Sequence, residues 1–110
     1  MQTQATQYRQ GDVFLGAIEK LPKGTKAAKK ENGLIVLARG PVTGHTHAIS
    51  SKNVQLRHLG EGETMRRFLV AKAAATLKHQ EHAAIKLKPA IYEVTIQREY
   101  VAGAIANVED

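Results

Sequence analysis

Residues 83–100 read AAIKLKPAIYEVTIQREY, and the alternation inside this stretch decides the fold class. Tyr92, Val94 and Ile96 alternate with Glu93, Thr95 and Gln97, the two-residue period of a strand with one face buried and the other wet. Ile85 and Leu87 lead into it, with Pro89 between. This strand signal governs the ambiguous segment before it, MRRFLVAKAAATLK at 65–78. Ala, Leu, Met, Lys and Arg favour helix, and Met65, Leu69, Ala73 and Leu77 share a rough helical stripe. Read with period two, Leu69, Ala71, Ala73, Ala75 and Leu77 share one face. Strands tend to pair with their sequence neighbours, so 67–78 is read as a strand running up to His79.

Working outward, the same alternation recurs. GDVFLGAI (11–18) sets Val13, Leu15 and Ala17 against Phe14 and Ile18, and LIVLAR (34–39) is a β-branched apolar run stopped by Gly40 and Pro41. VTGHTHAIS (42–50) is a further strand with Gly44 as a bulge, and NVQLRHL (53–59) alternates Val54, Leu56 and His58 with Gln55, Arg57 and Leu59. GEGET (60–64) closes a hairpin. Strand after strand at short spacing predicts one mainly β domain over 1–110, a small antiparallel β-barrel or sandwich. Residues 1–10 read as a flexible tail with Tyr8 as an anchor, and 19–33, with Pro22, Gly24 and the turn at Glu31-Asn32-Gly33, as a Lys-rich loop. VAGAIANVED at the end reads as a short helical turn or a loose tail, with Val101, Ile105 and Val108 on one side.

Composition narrows the chemistry. Cysteine is absent, which excludes a disulfide framework, a thiolate nucleophile and a Cys-based zinc site, so any metal would be held by His and carboxylate. No apolar run approaches the length of a membrane span and the start has no apolar leader core, so the expectation is a cytoplasmic protein with no membrane contact. The net charge of +6 is uneven: residues 1–55 carry eight Lys or Arg against three Asp or Glu. Lys20, Lys23, Lys26, Lys29 and Lys30 supply much of that excess. A solvated basic loop is the simpler reading; the sharper one makes Lys23, Lys26, Lys29 and Lys30 anion or nucleic-acid contacts that release counterions from phosphates. The scarcity of aromatics argues against a base-stacking platform.

Four of the five histidines fall in two clusters, His45 and His47 in GHTH, and His79 and His82 in HQEH. On a strand, His45 and His47 project from one face, as two adjacent imidazoles can for one ion. His79, Glu81 and His82 could complete the set, His79 and His82 converging across a turn. Such donors suit Zn, Fe, Mn or Ni. The same four histidines, His45, His47, His79 and His82, could instead be catalytic as acid and base in metal-independent phosphodiester cleavage, with Lys78 or Lys52 steadying the charge. The plainest alternative is two exposed polar turns. His58, alone on its strand, reads as structural, Arg66 and Arg67 as a solvated rim, and Arg98 and Tyr100 as packing on the face of Tyr92.

GHTH followed by HQEHAAIKLKPAIYEV resembles the small cupin-type double-stranded β-helix proteins, over about residues 40–96. That resemblance implies a divalent metal in the mouth of a barrel, held by an H-x-H and a later His, and no particular reaction. Together these readings give, as expectations, a His-rich divalent-metal site with metal-assisted hydrolysis or other small-molecule chemistry on a small-molecule or phosphate-containing substrate. The alternatives are a His acid/base ribonuclease, a basic nucleic-acid-binding module, or an accessory protein acting through protein contacts. Exposed sheet edges suit a homodimer.

Overall fold

The computed structural model, which describes residues 6–97, 100–101 and 104–105, is built of strands, and most of those in its two larger sheets turn alternate apolar residues inward. In chain order these are β1 (Gln7–Gln10), β2 (Val13–Ile18), β3 (Lys26–Ala27), β4 (Ile35–Arg39), β5 (Thr46–Ile49) and β6 (Val54–Leu59). After a single 3-10 turn at Gly62–Thr64 come β7 (Arg66–Ala71), β8 (Ala75–Lys78), β9 (Ile85–Leu87), β10 (Ala90–Ile96), β11 (Tyr100–Val101) and β12 (Ala104–Ile105). One antiparallel sheet has the order β1-β2-β10-β7-β6-β3, a second β4-β5-β8-β9, and β11 pairs with β12.

The decisive stretch lies at the centre of the larger sheet. Tyr92 on β10 stands opposite Ala17 on one side and Leu69 on the other. Val13, Leu15, Leu56, Leu69, Tyr92 and Val94 from this sheet meet Ile35, Leu37, Ile49, Leu77 and Leu87 from the smaller one in a single core. The Tyr92 hydroxyl donates to the Lys88 carbonyl at 2.5 Å, and the Lys88 N–H donates to the Tyr8 hydroxyl at 3.2 Å. Burial, then the neighbouring Tyr8, pushes the Tyr92 phenol up to about 12. Tyr8 is therefore an anchor, as its place in a polar stretch suggested.

Five sequence expectations change. The strand expected over 42–50 is only Thr46–Ile49, and Gly44 sits in the turn before it rather than in a bulge. Residues 7–10 are strand, not tail, because Gln7–Gln10 pair with β2 through a two-residue reversal at Gly11-Asp12, where Gly11 has φ of 57°, while residues 1–5 of the expected tail lie outside the described part. The Lys-rich stretch is not loop throughout: Lys26–Ala27 form β3 against β6. The single strand expected over 67–78 is two, because the chain bends at Lys72–Ala74 and crosses from one sheet to the other. At the C-terminal end, 100–101 and 104–105 are extended and paired rather than helical, in keeping with β-branched Val101 and Ile105 and helix-breaking Gly103. Arg98, the side chain of Tyr100, and residues 106–110 with Val108 lie outside the described part. Among the described residues no helix is long and apolar enough to cross a membrane.

Candidate functional site

The smaller sheet brings the two histidine clusters together through strand register. Ala48 stands opposite Lys78 and Ile49 opposite Leu77, so one further step along this ladder places His47 beside His79. The start of β5 is set by the turn before it: the Gly40 N–H donates to the His45 carbonyl at 2.8 Å and the Gly44 N–H to the Gly40 carbonyl at 3.0 Å. Gly44 makes this reversal at φ of 74°, a left-handed conformation that other residues adopt at a cost. The Thr46 N–H then donates to Gln80 Oε1 at 2.9 Å, tying β5 to the turn that follows β8.

The rings converge. Centroids are 4.3 Å apart for His47 and His79, 4.6 Å for His79 and His82, 5.5 Å for His45 and His79, and 6.0 Å for His47 and His82. His47 is fully buried; His45, His79 and His82 are half-buried toward the rim. Glu81 lies outside, mostly exposed, with Oε1 3.8 Å from His45 Nδ1.

Two residues of the first hairpin complete the cluster, and sequence reasoning passed over both. The buried Gln10 side-chain amide donates to the carbonyls of Leu77 and Ala83, each at 3.0 Å. Those two bonds fix which end of the amide is oxygen, and that Oε1 lies 2.8 Å from His47 Nδ1. An acceptor there requires a donor, so His47 carries its proton on Nδ1 and, when neutral, its lone pair on Nε2. Facing Nε2 at 3.6 Å is Oδ1 of Asp12, a carboxylate only 7% exposed. His47 Nε2 and this carboxylate thus face each other in the buried part of the cluster.

His79 is wired the opposite way. Its Nδ1 accepts the backbone N–H groups of Glu81 at 3.0 Å and His82 at 3.1 Å. The neutral ring therefore bears its proton on Nε2 and can donate into the cluster. The Nε2 of His82 is buried and has no hydrogen-bond partner among the described residues.

Among the described residues no three His, Cys, Asp or Glu side chains stand grouped to hold a metal ion as they are. The rings of His47, His79 and His82 pack face to face, tilted by 18–44°, rather than aiming at one point. Their spacing lies near that of ligands sharing one ion. With metal–nitrogen bonds of about 2.0–2.1 Å, ring centroids on one tetrahedral ion lie about 5 Å apart and a nitrogen and oxygen about 3.4 Å apart. The His47 and His82 centroids are 6.0 Å apart and His47 Nε2 lies 3.6 Å from Asp12 Oδ1, each somewhat longer than those values.

The remaining candidates lie elsewhere. Lys23 and Lys29 are exposed, Lys30 Nζ donates to the Ser51 carbonyl at 3.1 Å, and Lys26 stands on β3. Lys78, with His79, Leu34, Thr46, Ala48, Ser50 and Gln80, lines a cavity of about 280 Å³ beside the cluster, and Lys52 is exposed in the turn before β6. Arg66 is not a free rim charge: it holds Glu93 through two bonds of 2.9 Å and covers Phe68 at 5.1 Å. That pairing keeps the Glu93 carboxyl below its usual range and raises Arg66.

The profile of a family described as "Domain of unknown function (DUF8820)" matches residues 9–97, a span that contains Gln10, Asp12 and all four clustered histidines. No curated protein and no solved structure matches the chain.

Proposed function

The chain belongs to the DUF8820 family, a domain of unknown function, and we propose that its histidine cluster binds one divalent transition-metal ion. His47 Nε2, His82 Nε2 and the Asp12 carboxylate are its protein ligands. The observation that carries this reading is the buried pair of His47 and Asp12, its tautomer set by Gln10 so that a lone pair faces a carboxylate at 3.6 Å. Two imidazoles and a carboxylate suit Zn, Fe, Mn or Ni. His45, at the rim, is the fourth donor or gives way to a substrate. Glu81 is too exposed to serve as a ligand and acts on His45 instead.

Such an ion supplies Lewis acidity to a small-molecule or phosphate-containing substrate. The residues of the chain do the rest. Gln10 orients His47 from behind, as the outer partners of ligating histidines do. His79 presents Nε2–H to whatever enters from the rim. The adjoining cavity offers the Lys78 amine and the hydroxyls of Thr46 and Ser50 to a polar substrate, with Leu34 and Ala48 as an apolar wall.

One observation favours a second reading. Gln10, His47 and Asp12 also form a line in which a proton, rather than a metal, is shared by His47 and Asp12, and the cluster would then do acid/base chemistry without an ion. Elemental analysis of untagged protein separates the two. About one equivalent of metal in the wild type, lost in Asp12→Asn and His47→Ala, supports the first. Less than a tenth of an equivalent after growth and purification with added Zn, Fe, Mn or Ni rejects it, and EDTA-resistant cleavage of RNA would then favour the second.

A further inference from the structure

The core-facing side of the larger sheet carries a row of basic side chains at its outer edge. Lys26 on β3 stands opposite His58 on β6, and His58 opposite Arg67 on β7. Directly opposed residues share a face, so Lys26, His58 and Arg67 project side by side, one strand spacing of about 4.8 Å apart. The row continues through Val94 to Leu15, which are core residues. It thus runs from the core out to the rim, and the three basic side chains occupy its outer end.

Lys26 and Arg67 stand two strand spacings apart with His58 between them, so the row gathers two positive charges and an imidazole at the outer edge of the sheet. Among the described residues, none of these three side chains makes a hydrogen bond or ion pair with an acid. Glu93, the acid nearest on the sheet, stands opposite Phe68, on the other face, and is held by Arg66. Glu61 and Glu63 of the β6–β7 turn are exposed and form no ion pair with the row. Arg67 is half-buried, and burial alone lowers its pKa, the direction expected of a guanidinium drawn from water without a counter-charge. The outermost strand is held in place by Arg57, which donates to Thr25 Oγ1 and to the Thr25 carbonyl, each at 2.8 Å, and so fixes Lys26 relative to His58.

We propose that Lys26, His58 and Arg67 form an oxyanion site for a phosphate group. The planar Arg67 fork binds two phosphate oxygens from the core side, Lys26 closes from the rim as a point charge, and His58 donates between them. The phosphate can belong to a small molecule or to a nucleic-acid backbone; the recognising chemistry is the same. This site is separate from the histidine cluster and does not depend on the metal reading.

The test is a backbone-amide NMR titration of the full chain with inorganic phosphate, against sodium chloride of matched ionic strength. Saturable shifts at Lys26, His58 and Arg67 are expected, with affinity at least tenfold weaker in Arg67→Gln and unchanged in Lys29→Gln. Arg67→Lys, which keeps the charge but not the fork, is expected to fall between, and Lys26→Gln serves if Arg67→Gln does not fold. A ten-residue single-stranded oligothymidylate is the second probe. Tighter, salt-sensitive binding at the same amides identifies the polymer as the source, while response to phosphate alone identifies a small phosphate-bearing molecule. Shifts spread over the surface, shifts confined to His45, His47, His79 and His82, or equal affinity in wild type and Arg67→Gln overturn the proposal.

Discussion

Gln10 Oε1 accepts from His47 Nδ1 at 2.8 Å, across 37 positions of sequence, while the same side chain donates to the carbonyls of Leu77 and Ala83. One amide thus joins β1, β5 and the end of β8, and sets the tautomer of the most buried histidine. Replacing it exposes the design of the site.

Gln10→Leu removes the bonds to the buried Leu77 carbonyl and to His47 Nδ1, and one to the part-exposed Ala83 carbonyl; a buried polar group losing its bond costs about 1–3 kcal/mol. Urea denaturation of the metal-free protein is expected to show a loss of that order. Metal affinity, measured by competition with a chromophoric chelator, is expected to fall about 10–100-fold, the usual effect of removing the partner behind a ligating histidine. Unchanged stability and affinity would mean that Gln10 is incidental.

His79 is predicted to be a donor rather than a ligand. Asn places its side-chain oxygen close to the position of the imidazole Nδ1, where it can accept the same two backbone N–H groups. His79→Asn is therefore expected to retain the metal equivalent, whereas His82→Asn is expected to lose most of it. Loss of metal in His79→Asn, with the fold intact by circular dichroism, would place His79 among the ligands.

Tyr92 predicts an alkaline limit to stability. Its folded pKa, about 12, lies above the ordinary value of 10, so the neutral phenol is favoured by folding. That contribution is complete below about pH 10, where neither state ionises, and is lost as the pH rises toward 12. Stability measured by denaturant titration should decline across this window in the wild type. Tyr92→Phe should be less stable near neutrality, having lost the bond to Lys88, yet show a flatter decline.

Gly44 should resist substitution for a conformational reason alone. At φ of 74° a Cβ would meet no atom within 4 Å, so Gly44→Ala is opposed by backbone strain and not by crowding. A loss of about 1–2 kcal/mol is expected, with His45 displaced from the cluster as read from its imidazole NMR shifts. A neutral substitution would show that the reversal before β5 has other solutions.

Most of the β-architecture was legible because strand periodicity is local: Tyr92, Val94 and Ile96, or Val54 and Leu56, announce their buried face without knowledge of their partners. The break at Lys72–Ala74 was not legible, since three residues with no Gly or Pro carry no turn signal and the change of sheet is a tertiary event. The convergence of His47 with His79 and His82 could be anticipated from strand parity and a turn, whereas His45 is placed by the reversal before β5. Gln10 and Asp12 could not, because their roles depend on partners 35 and 37 positions away. One signal did exist. Gly11-Asp12 between Tyr8-Arg9-Gln10 and Val13-Phe14-Leu15 is a two-residue hairpin connection, and reading 1–10 as a tail hid it. His58 and Arg67 were separately read as structural and rim residues, since only the register shows that they stand opposite each other.

The placement of the ion is the most direct test of the metal reading. Crystals of the untagged protein, grown with the metal found by elemental analysis and measured at its absorption edge, report that position without reference to activity. One anomalous peak about 2.0–2.2 Å from His47 Nε2, His82 Nε2 and an Asp12 oxygen is expected. A peak held only by His45 and Glu81 at the rim, or no peak at the cluster in metal-saturated crystals, contradicts it.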